Sequence, residues 1–422
     1  MAKQDHADLL SVDAKAVLYP EYTDFENLQR YNPEYLNTPE GQKLQVRKTG
    51  SVKCYKPIEE KKEKKMSLAK RILKNSTISI ANTLENSIFF TERDVITTPV
   101  PMINVALSGK LDGGLTTGVT VLAGPSKNFK SGFALLLASA YLKKYKEAAL
   151  LFYDSEFGTP KSYFDTFSIE ANRVIHTPVT DIGELTHDII NQLKGIERGD
   201  KLVIVIDSIG SLASMKEIGD AESGKQVADM TRAKLMKSLF RMITPYAGLK
   251  DIPIIVVNHT YKEIGLFPKD IVSGGTGAYY SADTIWIMGR QQDKTAEGVQ
   301  GYNFVINVEK SRFVKEKSKI PINVSFEKGI QKWAGMFDIA VDLGFITSPS
   351  KGWFETTIGG YEKVRRNTIE YDSNFWERML EETQIYKAIS DKYTLSSEDM
   401  VNEGGTGEDT SVEDEVEAKS KK

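Results

Sequence analysis

Lys130 and Ser131 close the stretch Leu122-Ala-Gly-Pro-Ser-Lys-Asn-Phe-Lys-Ser131, in which an apolar, strand-like run meets a glycine and then a lysine and a hydroxyl at the start of a helical pattern. That order of residue types suits a polyphosphate. Gly124 and the backbone of Pro125, Ser126, Lys127, Asn128 and Phe129 would wrap phosphate oxygens with main-chain N–H groups. Lys130 would reach the β and γ phosphates, and the Ser131 hydroxyl would ligate Mg²⁺ at a helix N-terminus. Phe129 stands where the usual loop has a second glycine. The structural alternative is an ordinary strand, turn and helix.

Three further strand-like runs end in polar groups. Leu202-Val-Ile-Val-Ile-Asp207 is apolar up to its last residue. At the carboxyl end of a central strand, Asp207 would sit beside the phosphate loop and hold Mg²⁺ through water, although buried strands also end in Asp for structural reasons. Leu151-Phe-Tyr-Asp154-Ser-Glu156-Phe-Gly158 offers two carboxylates. Either could orient and deprotonate a water that attacks the γ-phosphate; the alternative is a cap at Asp154 and a solvated Glu156. Ile255-Val-Val-Asn258-His259-Thr260 puts His259 at the same edge, as a γ-phosphate sensor or as an ordinary satisfied histidine. Residues 214–225, small, charged and glycine-containing, and residues 261–277, ending in Ser-Gly-Gly-Thr-Gly, read as mobile loops over that edge, where a nucleotide-gated surface would sit. Lys310, Arg312, Lys315, Lys317 and Lys319 form a basic cluster at a hairpin tip, either functional or a solvated face.

The elements that must position these groups alternate short apolar runs with helical patterns from Gly113 onward, which predicts a mostly parallel sheet with crossover helices. The strands are expected at 119–123, 148–153, 174–176, 202–206, 254–257 and 284–288. Helices are expected at 130–144, after an Asp181 cap with Glu184 three residues on, and over 225–246. Phe304, Ile306 and Val308, then Ile322, Val324 and Phe326, alternate with polar neighbours and predict an antiparallel hairpin. Residues 1–65 are polar and proline-punctuated without a sustained period, an arm rather than a core. Residues 67–74 form a short amphipathic segment, and 329–395 read as a small mixed subdomain. Residues 398–417 hold nine acidic side chains and no basic one, so a disordered tail is expected there.

Composition narrows the classes. A chain of 422 residues, 40% hydrophobic and 27% charged, fits an ordinary soluble protein of two or three domains. The net charge of −3 makes any nucleic-acid surface local. The single cysteine, Cys54, excludes a disulfide framework and a cysteine metal cluster and suits a reducing cytoplasm. Neither a membrane-spanning apolar run nor a signal-peptide core is present in the sequence, so a cytoplasmic protein is expected.

With these residues assembled, the chain resembles the RecA superfamily, and most closely the UvsX-type recombinases of T-even-like phages. Leu122-Ala-Gly-Pro-Ser-Lys127, the 151–158 run, Asp229-Met-Thr-Arg-Ala-Lys234, Asn258-His-Thr-Tyr261 and Val308-Glu-Lys-Ser-Arg312 carry the likeness, which runs from about Met66 to Leu395. It implies a RecA-like P-loop NTPase core at 111–328, an N-terminal polymerisation segment at 66–110 and a C-terminal α+β subdomain at 329–395, and the acidic tail read from composition takes up 396–422. Residues 1–65 have no counterpart in it. It also implies ATP and Mg²⁺ as cofactors, Glu156 as the catalytic carboxylate, Tyr163 stacked on adenine and His259 as a nucleotide sensor linked to a DNA loop. Lys310 and Arg312 would reach the ATP of a neighbouring subunit, like an arginine finger. Lys216, Lys225, Arg232, Tyr261, Lys262, Lys269, Gly274 and Gly275 would belong to the loops that line a DNA channel. The implied activity is strand exchange by a helical filament of this chain on single-stranded DNA, paired with a homologous duplex. A single-strand-binding protein and a mediator are the further implied partners, and a phage-encoded chain would act in the host cytoplasm. The rivals are a ring helicase or similar RecA-like motor, and a non-hydrolysing regulatory paralogue.

Overall fold

The computed structural model describes residues 10–20, 23, 25–38, 67–89, 94–224, 231–263, 268, 270–295 and 298–395. The acidic tail, Met66, Lys225 and Lys269 lie outside them. The chain divides into two compact units at 88/89.

In the first unit, helices α1 (Val12–Leu18) and α2 (Phe25–Tyr31) close on Ala16 and Leu28, and Asn32 Nδ2 donates to the Ala16 carbonyl at 2.9 Å. This is regular structure where an arm was expected. Its apolar residues pair between two short helices instead of repeating along one, so no period shows in the sequence. Helix α3 (Leu68–Asn75), capped by the Ser67 hydroxyl, leaves Leu68 and Ile72 exposed.

In the second unit, the chain order is α4 (Pro101–Ser108), β1 (Gly118–Ala123), α5 (Lys130–Lys144), β2 (Ala149–Asp154), α6 (Lys161–Thr166), β3 (Val174–Pro178), α7 (Ile182–Gly195), β4 (Leu202–Asp207), α8 (Met215–Glu222), α9 (Thr231–Lys250) and β5 (Pro253–Asn258). Then come β6 (Thr260–Lys262), β7 (Asp270–Val272), α10 (Thr276–Ser281), β8 (Thr284–Thr295), β9 (Gly298–Lys310), β10 (Lys319–Ser325) and β11 (Gly329–Ile330). The main sheet has nine strands in the order β11-β10-β9-β8-β1-β5-β4-β2-β3. From β8 to β3 every pairing is parallel, and β8 to β11 form an antiparallel flank. Crossover helices cover both faces, so the central strands are apolar along their whole length. Leu122 and Val257 point to the layer with α4 and α5, while Val121 and Val256 point to that with α7 and α9. Burying Phe133, Leu137 and Tyr141 of α5 contributes on the order of 1.5–3 kcal/mol apiece.

The C-terminal part, with α11 (Met336–Asp342), β12 (Ile346–Ser350), β13 (Trp353–Thr356), β14 (Lys363–Val364), α12 (Arg366–Ile369), α13 (Ser373–Glu382) and α14 (Ile385–Tyr393), adds a small antiparallel sheet and helices. Trp333, Phe337 and Trp376 join the α5-side core. The mostly parallel sheet flanked by helices, with a small mixed C-terminal part, is the architecture expected from the sequence.

Three segments differ from expectation. Residues 215–222 are helical, because the Ser214 hydroxyl and Glu217 carboxylate form a reciprocal capping box. Part of 261–277 is the β6/β7 ribbon and the start of α10. β8 runs on to Thr295 and pairs with β9, so the hairpin extends an existing ribbon.

Candidate functional site

The parallel strands deliver their last residues to one edge. A pocket of about 380 Å³ there is lined by Ser126 to Gly132, Glu156, Gly158, Thr159, Pro160, Tyr163, Asp207, Val257 and His259. Most sequence-predicted nucleotide residues therefore meet in one cavity. Gly124 and Pro125 are not in its lining, and a Cβ on Gly124 would come within 3.1 Å of Met288.

The phosphate loop is fastened from β8 and β9. Asn128 Nδ2 donates to the Met288 carbonyl at 2.6 Å, and Arg290 Nη1 donates to the Lys127 carbonyl at 2.7 Å. Phe129 adopts a left-handed backbone at φ 58°, the conformation a glycine would take freely. Its ring stacks on Phe304 at 5.9 Å and meets Phe133 and Tyr163 edge-on at 5.6 and 6.4 Å. A Cβ on Gly132 would sit 2.5 Å from that ring, so the glycine is needed one turn later.

Lys130 is buried, its Nζ donating to the Pro125 carbonyl at 2.8 Å. Burial lowers its pKa, and Glu156 and Asp207 oppose the shift. Asp207 is buried and its pKa is pushed up to about 6, chiefly by burial and also by Glu156 and Asp154; the Ser131 hydroxyl and Lys130 pull it down. Its Oδ1 has no hydrogen-bond partner among the described residues. A buried, partnerless carboxylate oxygen beside the Ser131 hydroxyl fits a hard cation that takes its other oxygens from phosphate and water. No cluster of His, Cys, Asp and Glu that could hold a metal by itself occurs among the described residues.

The two carboxylates at the end of β2 part company. Asp154 Oδ1 accepts from the backbone of Glu156 at 3.1 Å and Phe157 at 2.8 Å, so it caps the turn. Glu156 faces the pocket, and three groups converge on its Oε1: Ser208 Oγ at 2.6 Å, Ser211 Oγ at 3.0 Å and His259 Nε2 at 2.9 Å. Burial would raise its pKa, but those hydrogen bonds prevail and hold it below the ordinary value. Ser208 and Ser211 were not singled out in the sequence; a hydroxyl directly after Asp207 and another three residues on were the available signal. His259 is thus engaged with the carboxylate and is neither isolated nor a core histidine.

The remaining predicted residues lie elsewhere. Lys310 Nζ donates to the Tyr279 carbonyl at 2.7 Å, and Arg312 pairs with Asp283 at 2.6 Å; neither lines the pocket. Lys315 and Lys317 also bond within the chain, to the Asp391 carbonyl and to Glu309. Lys216 lies in α8, Tyr261 and Lys262 in β6, and Arg232 in the first turn of α9. Gly274 and Gly275 have positive φ and pass close to α9. Among the described residues no helix is long and apolar enough to cross a membrane.

Residues 60–331 match the RecA N-terminal domain family, and residues 333–389 match the C-terminal domain of the bacteriophage T4 recombination and repair protein. The recombination and repair protein of Enterobacteria phage T4 is 46% identical over 340 residues, covering 79% of this chain and 87% of that protein. The RecA proteins of Gloeobacter violaceus and a Picosynechococcus species are 28% and 26% identical, over 58% and 75% of this chain and 66% and 88% of their own lengths. The chain therefore belongs to the RecA family, as a RecA-type recombinase related to the recombination and repair protein of phage T4.

Proposed function

We propose that this recombinase binds and hydrolyses ATP with Mg²⁺ in the pocket at the strand ends, assembles as a helical filament on single-stranded DNA, and pairs that strand with a homologous duplex. The observation that carries the hydrolytic part is Glu156, ionised and held by three hydrogen bonds in the same cavity as Lys130, Ser131 and Asp207. Lys130 exchanges the Pro125 carbonyl for phosphate oxygens, and the N–H groups at the start of α5 add to the anion site. Ser131 and Asp207 hold the cation. When bound, Mg²⁺ offsets charge on the transferred phosphoryl group. Three donors on Glu156 Oε1 leave Oε2 to accept the proton of the attacking water. Tyr163, on the pocket wall, is the platform for the base.

Lys310 and Arg312 lie outside this pocket, which supports a role at a neighbour's nucleotide in the filament. The α8 and 261–277 segments, with Lys216, Tyr261 and Lys262, supply the DNA-facing surface. The test is ATP hydrolysis with and without single-stranded DNA, combined with electron microscopy of the DNA-bound protein. Turnover that rises with DNA, together with helical filaments, is expected. Closed rings would support a motor, and absent hydrolysis a regulatory paralogue.

A further inference from the structure

Ser211 reaches Glu156 from a three-residue turn, Ile209–Ser211, that follows β4. Such a turn is too short to fix its own last carbonyls. Arg232 does so from outside: Nε donates to the Leu212 carbonyl at 2.8 Å and Nη2 donates to the Gly210 carbonyl, one on each side of Ser211. The His259 ring closes the other side, lying where a Cβ on Gly210 would come within 2.4 Å of it. Arg232 is the second residue of α9, whose following turns are anchored by buried Met236, Leu239 and Phe240. The glycine-rich stretch packs on those same turns. A Cβ on Gly274 would meet the Met236 side chain at 2.2 Å, and one on Gly277 would meet Lys237 Cα at 2.5 Å.

We propose that Arg232 is a positioning residue for the hydrolytic carboxylate: it fixes Ser211 against Glu156, so that displacement of the first turns of α9 is felt at the water-activating group. This rests on the reading of Glu156 given above. It also replaces the expectation that Arg232 serves the loops lining a DNA channel, since its guanidinium is spent on two carbonyls of its own chain. Only a rigid fork of N–H donors spans both carbonyls; a lysine at this position would keep the charge and lose the span.

The full-length chain is assayed for ATP turnover at saturating single-stranded DNA, and for DNA affinity over a range of salt, as Arg232→Lys, Arg232→Gln, Ser211→Ala, Arg232→Lys/Ser211→Ala and Glu156→Gln. Arg232→Lys and Ser211→Ala are each expected to lower kcat by about 10- to 100-fold, the scale of a misplaced catalytic group. KM for ATP and the salt slope of DNA binding should stay near wild type, and the double variant should lose no more than the worse single one. Normal turnover in Arg232→Lys, with a salt slope about 0.7 smaller in Arg232→Gln, would make Arg232 a phosphate contact and overturn the proposal. Ser211→Ala is a small change at an exposed position, and normal turnover there overturns it as well. Glu156→Gln separates the two levels. If it is slow while the Arg232 and Ser211 variants are normal, the positioning role alone is wrong; if it is itself near normal, the reading of Glu156 fails and this inference with it.

Discussion

At the scale of single residues, what distinguishes Glu156 from Asp154 is which hydrogen bonds each is given. Asp154 spends one oxygen on two backbone N–H groups, whereas Glu156 has one oxygen held by two serines and a histidine. Lys130 and Glu156 should therefore fail differently. Lys130→Ala removes the phosphate-contacting ammonium and should abolish ATP-dependent assembly on DNA. Glu156→Gln should keep nucleotide binding and filaments while turnover falls about 10²- to 10⁴-fold, the range for a general base. Nucleotide titration beside steady-state hydrolysis checks both, and near-normal turnover in Glu156→Gln would move the base elsewhere. The pH dependence follows from the same contacts. The hydroxyl of Ser211 favours the charged form of Glu156, so Ser211→Ala should raise its pKa. With Glu156 as the proposed general base, hydrolysis would need the ionised form, so the acid limb of the kcat profile should move to higher pH. A limb that stays in place, or moves the other way, would show that Ser211 does not bear on the ionisation.

Among the elements, the phosphate loop depends on the β8–β9 ribbon. A left-handed backbone at a non-glycine residue costs about 1–2 kcal/mol, while three aromatic contacts at about 0.5–1.5 kcal/mol each favour Phe129 in place. The contacts prevail, so Phe129→Gly should relax the backbone yet weaken ATP binding by roughly tenfold, for a net loss of about 1.4 kcal/mol. Phe304→Ala should do the same from the other side of the stack. Equilibrium titration with a labelled nucleotide measures both, and tighter binding in Phe129→Gly would mean the loop prefers glycine after all. This anchoring was not legible in the sequence, where Phe129 was only a missing glycine, because its partner lies on β9, far along the chain. What could be read was whatever a local pattern decides. The central strands are continuous apolar runs, the α5 helix follows its loop directly, and the Asp181 cap bonds Gly183 and Glu184 as its spacing predicts. The α8 helix is hard to see in the sequence because Gly219, Gly224 and the charges of 214–225 outweigh the Ser214–Glu217 box. Ser208 and Ser211 are not legible in the sequence because a hydroxyl acquires meaning only from what it faces after folding.

For the whole molecule, predictions attach to the cations beyond the pocket and to the acidic segment near the C-terminus. Lys310 and Arg312 rest on the Tyr279 carbonyl and on Asp283 of their own chain. Alanine at both should spare ATP binding by isolated subunits and lower hydrolysis and cooperative assembly on DNA. Adding an excess of Glu156→Gln subunits, which should still assemble and whose Lys310 and Arg312 remain, should restore part of the hydrolysis, and no rescue would place the two cations in cis. Residues 398–417 carry nine acidic side chains and no basic one on a chain whose net charge is only −3. DNA binding by such a chain must use local basic surfaces, with affinity that falls steeply as salt rises. A tethered polyanion would have a high effective concentration near those surfaces and would compete with DNA phosphates for them. The weaker ligand is displaced first, and in a filament built on a single strand that ligand is the duplex. Ending the chain at Leu395 should therefore tighten duplex binding and raise its salt tolerance, with little change in ATP hydrolysis on saturating single-stranded DNA. Titrations of labelled duplex against full-length and truncated protein at several salt concentrations test this. Superimposable curves would mean that the acidic segment does not compete for the DNA surface.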